Sequence, residues 1–64
     1  MVKLNGEQRE LSGKSVDELL NENGYDPKRV AVELNLEIVP KSQYSTTVLK
    51  DGDSVEVVSF VGGG

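Results

Sequence analysis

A single stretch of this chain carries helical periodicity, and that does most to limit the folds open to it. Between Ser15 and Gly24, the apolar Val16, Leu19 and Leu20 recur at i, i+3 and i+4, with Asp17, Glu18, Asn21 and Glu22 turned to water. Ser15 stands as N-cap, and Glu18 three residues on completes a capping box. Asp17 and Glu18 place negative charge at the positive end of the helix dipole, and Gly24 supplies the left-handed residue that closes the helix. The spacing predicts one amphipathic helix of about two to three turns. Its stripe must be covered by something other than helix, because the remaining apolar runs are short or alternate.

Those runs read as strands. Val2 and Leu4 flank Lys3, and Asn5-Gly6 is the strongest two-residue signal for a type I′ hairpin turn. The return strand, Glu7 to Leu11, is mostly polar and is placed at an edge or with one face in water. Ser12-Gly13-Lys14 breaks the pattern before the helix. After a turn at Asp26-Pro27, Val30 to Leu34 forms a strand with Val30, Val32 and Leu34 on one face. Asn35 accepts a left-handed turn, and Ile38-Val39 is a short strand ended by Pro40. Ser42 to Thr46 reads as irregular or as a single helical turn, and Asp51-Gly52-Asp53 is a tight turn. The last strand runs from Val55 to Val61. Both of its parities are apolar, Val55/Val57/Val61 and Val58/Phe60, which predicts a central strand buried on both sides near its middle.

The order is β-β-α-β-β-β, one helix against a small mixed sheet, packed diagonally across the strands. That is an α+β architecture of the β-grasp, or ubiquitin-like, type. Residues 1–60 are read as the domain, and residues 61–64 as a flexible C-terminal tail.

Composition narrows the chemistry. There is no cysteine and no histidine, so thiolate nucleophiles, disulfides, imidazole bases and the commonest metal ligands are absent. The balance of 11 acidic against 7 basic residues gives a net charge of −4. Nucleic-acid binders need a basic footprint, and anionic membrane surfaces repel acidic proteins, so neither partner is expected. No apolar stretch approaches the length that spans a bilayer, and no long apolar segment opens the chain, so cytoplasmic residence is the expectation. Among the acids, Asp17/Glu18/Glu22 belong to a solvated helix face and Asp51/Asp53 to a turn. Two carboxylates without further oxygen ligands make a poor cation site, and no bound metal is expected. Ser15 is accounted for as a cap and Tyr44 as a packed ring. No catalytic constellation emerges.

What remains is Phe60-Val61-Gly62-Gly63-Gly64. A terminal glycine offers an ionised carboxylate with no side chain crowding the acyl carbon, and its glycine neighbours adopt dihedrals closed to other residues. Such an end can be threaded into a narrow enzyme cleft, although three glycines alone are equally the mark of an inert flexible end. Its carboxylate can attack an activated phosphate to become an acyl-adenylate, which is open to a sulfur or amine nucleophile.

The segments Leu4-Asn5-Gly6-Glu7, Val30 to Asn35, Glu37 to Lys41 and Asp51 to Val58, followed by that tail, resemble the pattern of the ThiS family over essentially the whole chain. The resemblance implies a β-grasp sulfur carrier of thiamin thiazole synthesis, itself not an enzyme. It implies that Gly64 carries the reactive carboxyl, with Gly63 giving access and Gly62 adding reach. By the same resemblance, a ThiF-like activating enzyme using ATP and magnesium would adenylate Gly64. Sulfur from a donor such as a cysteine desulfurase would convert it to a thiocarboxylate, and a ThiG-like thiazole synthase would take the sulfur. The carrier would bind no cofactor of its own and would be a monomer when alone. Phe60 and Val58, near the root of the tail, are the expected apolar contacts with partners.

Three rivals share the fold. They are a molybdopterin synthase small subunit, a protein-modifying ubiquitin-like tag, and an inert β-grasp interaction module. The absence of proline in Val57-Val58-Ser59-Phe60-Val61 and the short chain speak against the first.

Overall fold

The computed structural model describes residues 1–60. The elements follow the expected order: β1 (Val2–Leu4), β2 (Glu7–Arg9), α1 (Val16–Glu22), a 3-10 turn at Pro27–Arg29, β3 (Val30–Leu34), β4 (Glu37–Ile38), a second 3-10 turn at Lys41–Gln43, and β5 (Ser54–Ser59). The five strands form one sheet in the order β2-β1-β5-β3-β4. β1 and β5 run parallel at its centre, and the other neighbours are antiparallel. The mixed sheet with one helix is the β-grasp arrangement.

Local chemistry sets the ends of α1. The Ser15 Oγ accepts from the Glu18 amide at 3.1 Å, and the Glu18 carboxylate accepts from the Ser15 amide at 2.9 Å. At the other end Gly24 takes φ 76°. The Tyr25 amide then reaches back to the Leu20 carbonyl at 2.9 Å and the Gly24 amide to that of Asn21 at 3.3 Å, which satisfies carbonyls the helix leaves unpaired. Asn5 and Gly6 both have positive φ, as a type I′ turn requires.

The core lies between α1 and one face of the sheet. Val16, Leu19 and Leu20 meet Val2, Leu4, Val30, Val32, Val55 and Val57. Leu11, Val39, Tyr44 and Leu49 close its margins from connecting segments. The segment around Leu49 is tied to the approach to α1: the Gly13 amide donates to the Leu49 carbonyl and the Leu49 amide to that of Lys14, both at 2.8 Å. The first turn of the helix is held the same way, with the Val16 amide on the Thr47 carbonyl and the Asp17 amide on that of Tyr44, each at 3.0 Å.

Three boundaries differ from the sequence reading. β2 stops at Arg9, because Leu11 turns into the core to cover the end of the helix layer. β4 is Glu37–Ile38, and Val39 lies beyond it, buried with its amide on the Val32 carbonyl at 2.9 Å. The third correction concerns β5, which is central but buried on one side only. Val55 and Val57 are buried, whereas Val58 is 55% exposed. Among the described residues a single helix covers a single face, and no second layer lies on the other. Val61, which the sequence reading placed in the last strand, lies outside the described residues.

Candidate functional site

Alternation along β5 divides its side chains cleanly. Val55 and Val57 face the helix, while Ser54, Glu56 and Val58 face outward. Cross-strand register carries this to the neighbours: Val58 stands opposite Ala31, Glu56 opposite Glu33, and Glu33 opposite Ile38 of β4. The uncovered face thus holds Val58, Ala31 and Ile38 together with two carboxylates. Phe60 follows Ser59 with the parity of Val58 and is 58% exposed. Its amide donates to the Arg29 carbonyl at 2.8 Å, so the β5–β3 ladder continues to the last residue described.

Two side chains hold this end of the sheet in place of missing strand partners. β1 ends at Leu4, yet β5 runs on, and Asn5 takes over. Its amide donates to the Val55 carbonyl at 2.9 Å, its Oδ1 accepts from the Val57 amide at 2.8 Å, and its Nδ2 reaches the Val57 carbonyl and the Tyr25 hydroxyl, each at 3.4 Å. An asparagine in the left-handed conformation (φ 49°) thereby mimics a strand residue. On the far side, Lys41 Nζ donates to the carbonyls of Pro27 and Val30, both at 2.8 Å, and lies 5.7 Å from the centre of the Tyr44 ring. That ring is buried, and burial pushes the Tyr44 hydroxyl pKa up. Asn5 thus pins β5 itself, whereas Lys41 ties down the start of β3, its neighbour.

Four of the five carboxylates singled out in the sequence are engaged elsewhere. Glu18 serves the helix cap, which lowers its pKa through hydrogen bonds from the Ser15 backbone and hydroxyl. Glu22 receives Lys14 Nζ at 2.9 Å. Asp51 accepts from the Ser12 hydroxyl, and Asp53 accepts from Asn35 Nδ2 at 3.0 Å and from the Lys50 amide at 2.9 Å. Among the described residues no three acidic side chains converge as a metal site would require.

Of the expected site residues, the structure places Val58 and Phe60 on one exposed face at the end of β5, adjacent in parity. Gly62, Gly63 and Gly64 lie outside the described residues. The sequence reading missed Ile38, Glu33 and Glu56 as members of the same face. The signal was available for the glutamates, since a strand that buries Val30 and Val32 must turn Ala31 and Glu33 the other way.

A model described as the ThiS family matches residues 2–64 of this chain. The chain is 48% identical to the sulfur carrier protein ThiS of Thermus thermophilus, covering all of both chains. It is 53% identical over 62 residues to a thiazole synthase of Paramagnetospirillum magneticum, which covers 95% of this chain but only 19% of that protein's length. The crystal structure of the thiamine biosynthesis protein ThiS from Geobacter metallireducens superposes with a TM-score of 0.77 at 34% identity, over 98% of this chain and 97% of the other.

Proposed function

This chain belongs to the ThiS family, and from that premise we propose how it carries sulfur for thiamin biosynthesis. The observation that carries the reading is the match to a sulfur carrier protein from end to end of both chains. In this reading the domain does no catalysis. It presents one carboxylate, that of Gly64, on a glycine tail rooted at the end of β5.

Gly64 is the residue to be activated. A carboxylate oxygen attacks the α-phosphorus of ATP, pyrophosphate leaves, and an acyl-adenylate results. The terminal sulfur of a persulfide then displaces AMP at the acyl carbon to give an acyl disulfide. A thiol attacks the donor-side sulfur of that S–S bond, so that the thiocarboxylate leaves and a new disulfide remains. ATP, magnesium and the acid–base groups are supplied by the activating enzyme, a ThiF-like protein, and the sulfur by a donor such as a cysteine desulfurase. Thiazole synthase accepts the sulfur and returns the carboxylate. Gly63 and Gly62 would let the chain pass through a narrow cleft, because glycine lacks a Cβ and has access to backbone conformations closed to other residues.

Binding falls to the open face. Val58 and Phe60 are exposed apolar side chains at the end of β5, a strand that Asn5 pins on the β1 side, and in this reading a partner that takes up the tail meets the domain there. We place the protein in the cytoplasm, where ATP is available. No helix among the described residues is long and apolar enough to cross a membrane.

The test is an intact mass after incubation with the activating enzyme, ATP, magnesium and a sulfur donor. The expected result is a gain equal to exchange of one oxygen for sulfur, mapped to Gly64 by fragmentation. An unchanged mass, with an enzyme shown to release pyrophosphate in the same mixture, refutes the reading.

A further inference from the structure

The two hairpins of this sheet solve the same problem differently. At β1–β2 the left-handed pair is Asn5-Gly6, with φ 49° and 86°. At β3–β4 it is Asn35-Leu36, with φ 51° and 71°. Glycine takes the second position without strain, whereas a branched aliphatic residue there costs about 1 kcal/mol. Leu36 gains nothing from the fold in return, since it is 86% exposed. Nearby, Ile38 is 75% exposed on the open face. Directly across from each other on that face stand Glu33 and Glu56, a like-charge pair that weakens a sheet. Neither enters an ion pair among the described residues.

Each of these choices works against the isolated domain, and all three fall on one corner. They become favourable together when the corner is covered by a surface with an apolar pocket edged by cations. We propose that the β3–β4 corner, Leu36 and Ile38 with the Glu33–Glu56 pair, is a second anchor for a thiazole synthase, which meets it with an apolar pocket bordered by arginine or lysine. The proposal rests on the sulfur-carrier reading and adds to it a contact remote from the tail, since the corner lies at the opposite end of β3 and β5 from Phe60.

Charge complementarity selects the kind of occupant. A second copy of this chain packed about a two-fold axis through this face would bring the two glutamate pairs together, which disfavours self-association. The choice of enzyme follows from the Paramagnetospirillum thiazole synthase, where a segment matching this chain forms 19% of the same polypeptide. The corner is also continuous, through Glu33, Glu56 and Ala31, with the Val58–Phe60 patch at the tail root.

Leu36→Gly separates binding from folding. The variant should unfold at a temperature equal to or above that of the parent, because it relieves left-handed strain. It should bind the purified thiazole synthase of the same organism about tenfold more weakly in calorimetry with unloaded carrier, the loss typical of an interface anchor. A Glu33→Gln/Glu56→Gln double variant should also bind more weakly and should flatten the dependence of Kd on salt. Conversion of Gly64 to the thiocarboxylate by the activating enzyme should be unaffected by Leu36→Gly. Affinity within twofold of the parent, no binding by the parent itself, or a change confined to self-association in sedimentation would each overturn the proposal. Because binding is read on unloaded carrier, failure to form a thiocarboxylate counts against the sulfur-carrier reading and leaves this measurement interpretable.

Discussion

Replacing Asn5 tests how the strand leading into the tail is held. Its Oδ1 accepts the Val57 amide at 2.8 Å, where β1 no longer supplies a carbonyl. Removing that acceptor strands a partly buried N–H, which costs about 1–3 kcal/mol, toward the lower end here because water reaches part of the edge. Asn5→Gly keeps the left-handed conformation at no strain, so it should lose about 1–2 kcal/mol. Asn5→Ala loses the same bond and also holds a Cβ at φ 49°, adding about 1 kcal/mol. In a domain of this size each kcal/mol moves Tm by about 4–8 °C, so the two losses are resolvable by thermal and urea unfolding. Hydrogen exchange at the Val57 amide should accelerate in both variants, and more than at Val32 on the intact side of the sheet. If Asn5→Gly unfolds with the parent, the side chain does not stand in for a strand. If alanine and glycine are equal, the left-handed turn carries no cost and the reasoning applied to Leu36 falls with it.

Leu49→Ala should cost about 2–5 kcal/mol in urea unfolding, as much as a helix leucine, although Leu49 belongs to no strand or helix. Ser15→Ala should cost about 1 kcal/mol through the lost cap, and thermal unfolding of the variant checks it. Glu18 has a lowered folded pKa, so its contribution is complete above the ordinary glutamate value of about 4.3 and is lost as pH falls through the lower folded value. Glu18→Gln should flatten the acid limb of a stability–pH curve, and an unchanged limb would contradict the capping account. Val58→Ser and Phe60→Ser should change stability by less than about 0.5 kcal/mol, since both are exposed, while raising the KM for the activating enzyme. A large fall in Tm with KM unchanged would make them core residues instead.

What the sequence disclosed and what it withheld divide along the range of the interactions involved. The capping box at Ser15 and Glu18, the Gly24 closure and the Asn5-Gly6 turn are decided within a few residues, and each was legible. The position of β5 was legible from its apolar run, but that run also suggested burial on both sides. Only the count of layers corrects this: among the described residues the one helix lies on the opposite face and nothing is laid over Val58. Leu11 and Leu49 escaped because their burial depends on loops paired across the fold. β4 lies one residue earlier than the sequence suggested: Val39 still places its amide on the Val32 carbonyl, but Pro40 after it has no N–H with which to extend the ladder. On the open face, Val58 and Phe60 were singled out from nearness to the tail and from the way related carriers dock, and the structure leaves both exposed. Ile38, Leu36 and the Glu33–Glu56 pair were not, since a face is assembled by register between strands and register is not written in any one of them.

The central claim is that this domain hands on sulfur, and a single-turnover transfer tests it most directly. Carrier loaded at Gly64 with an isotopically heavy sulfur, freed of activating enzyme and donor, is mixed with thiazole synthase and its other substrates. The account predicts heavy sulfur in the thiazole product and return of the carrier to the mass of the carboxylate, in equal amounts. Unlabelled product, or a carrier that keeps its sulfur while product forms, would contradict it.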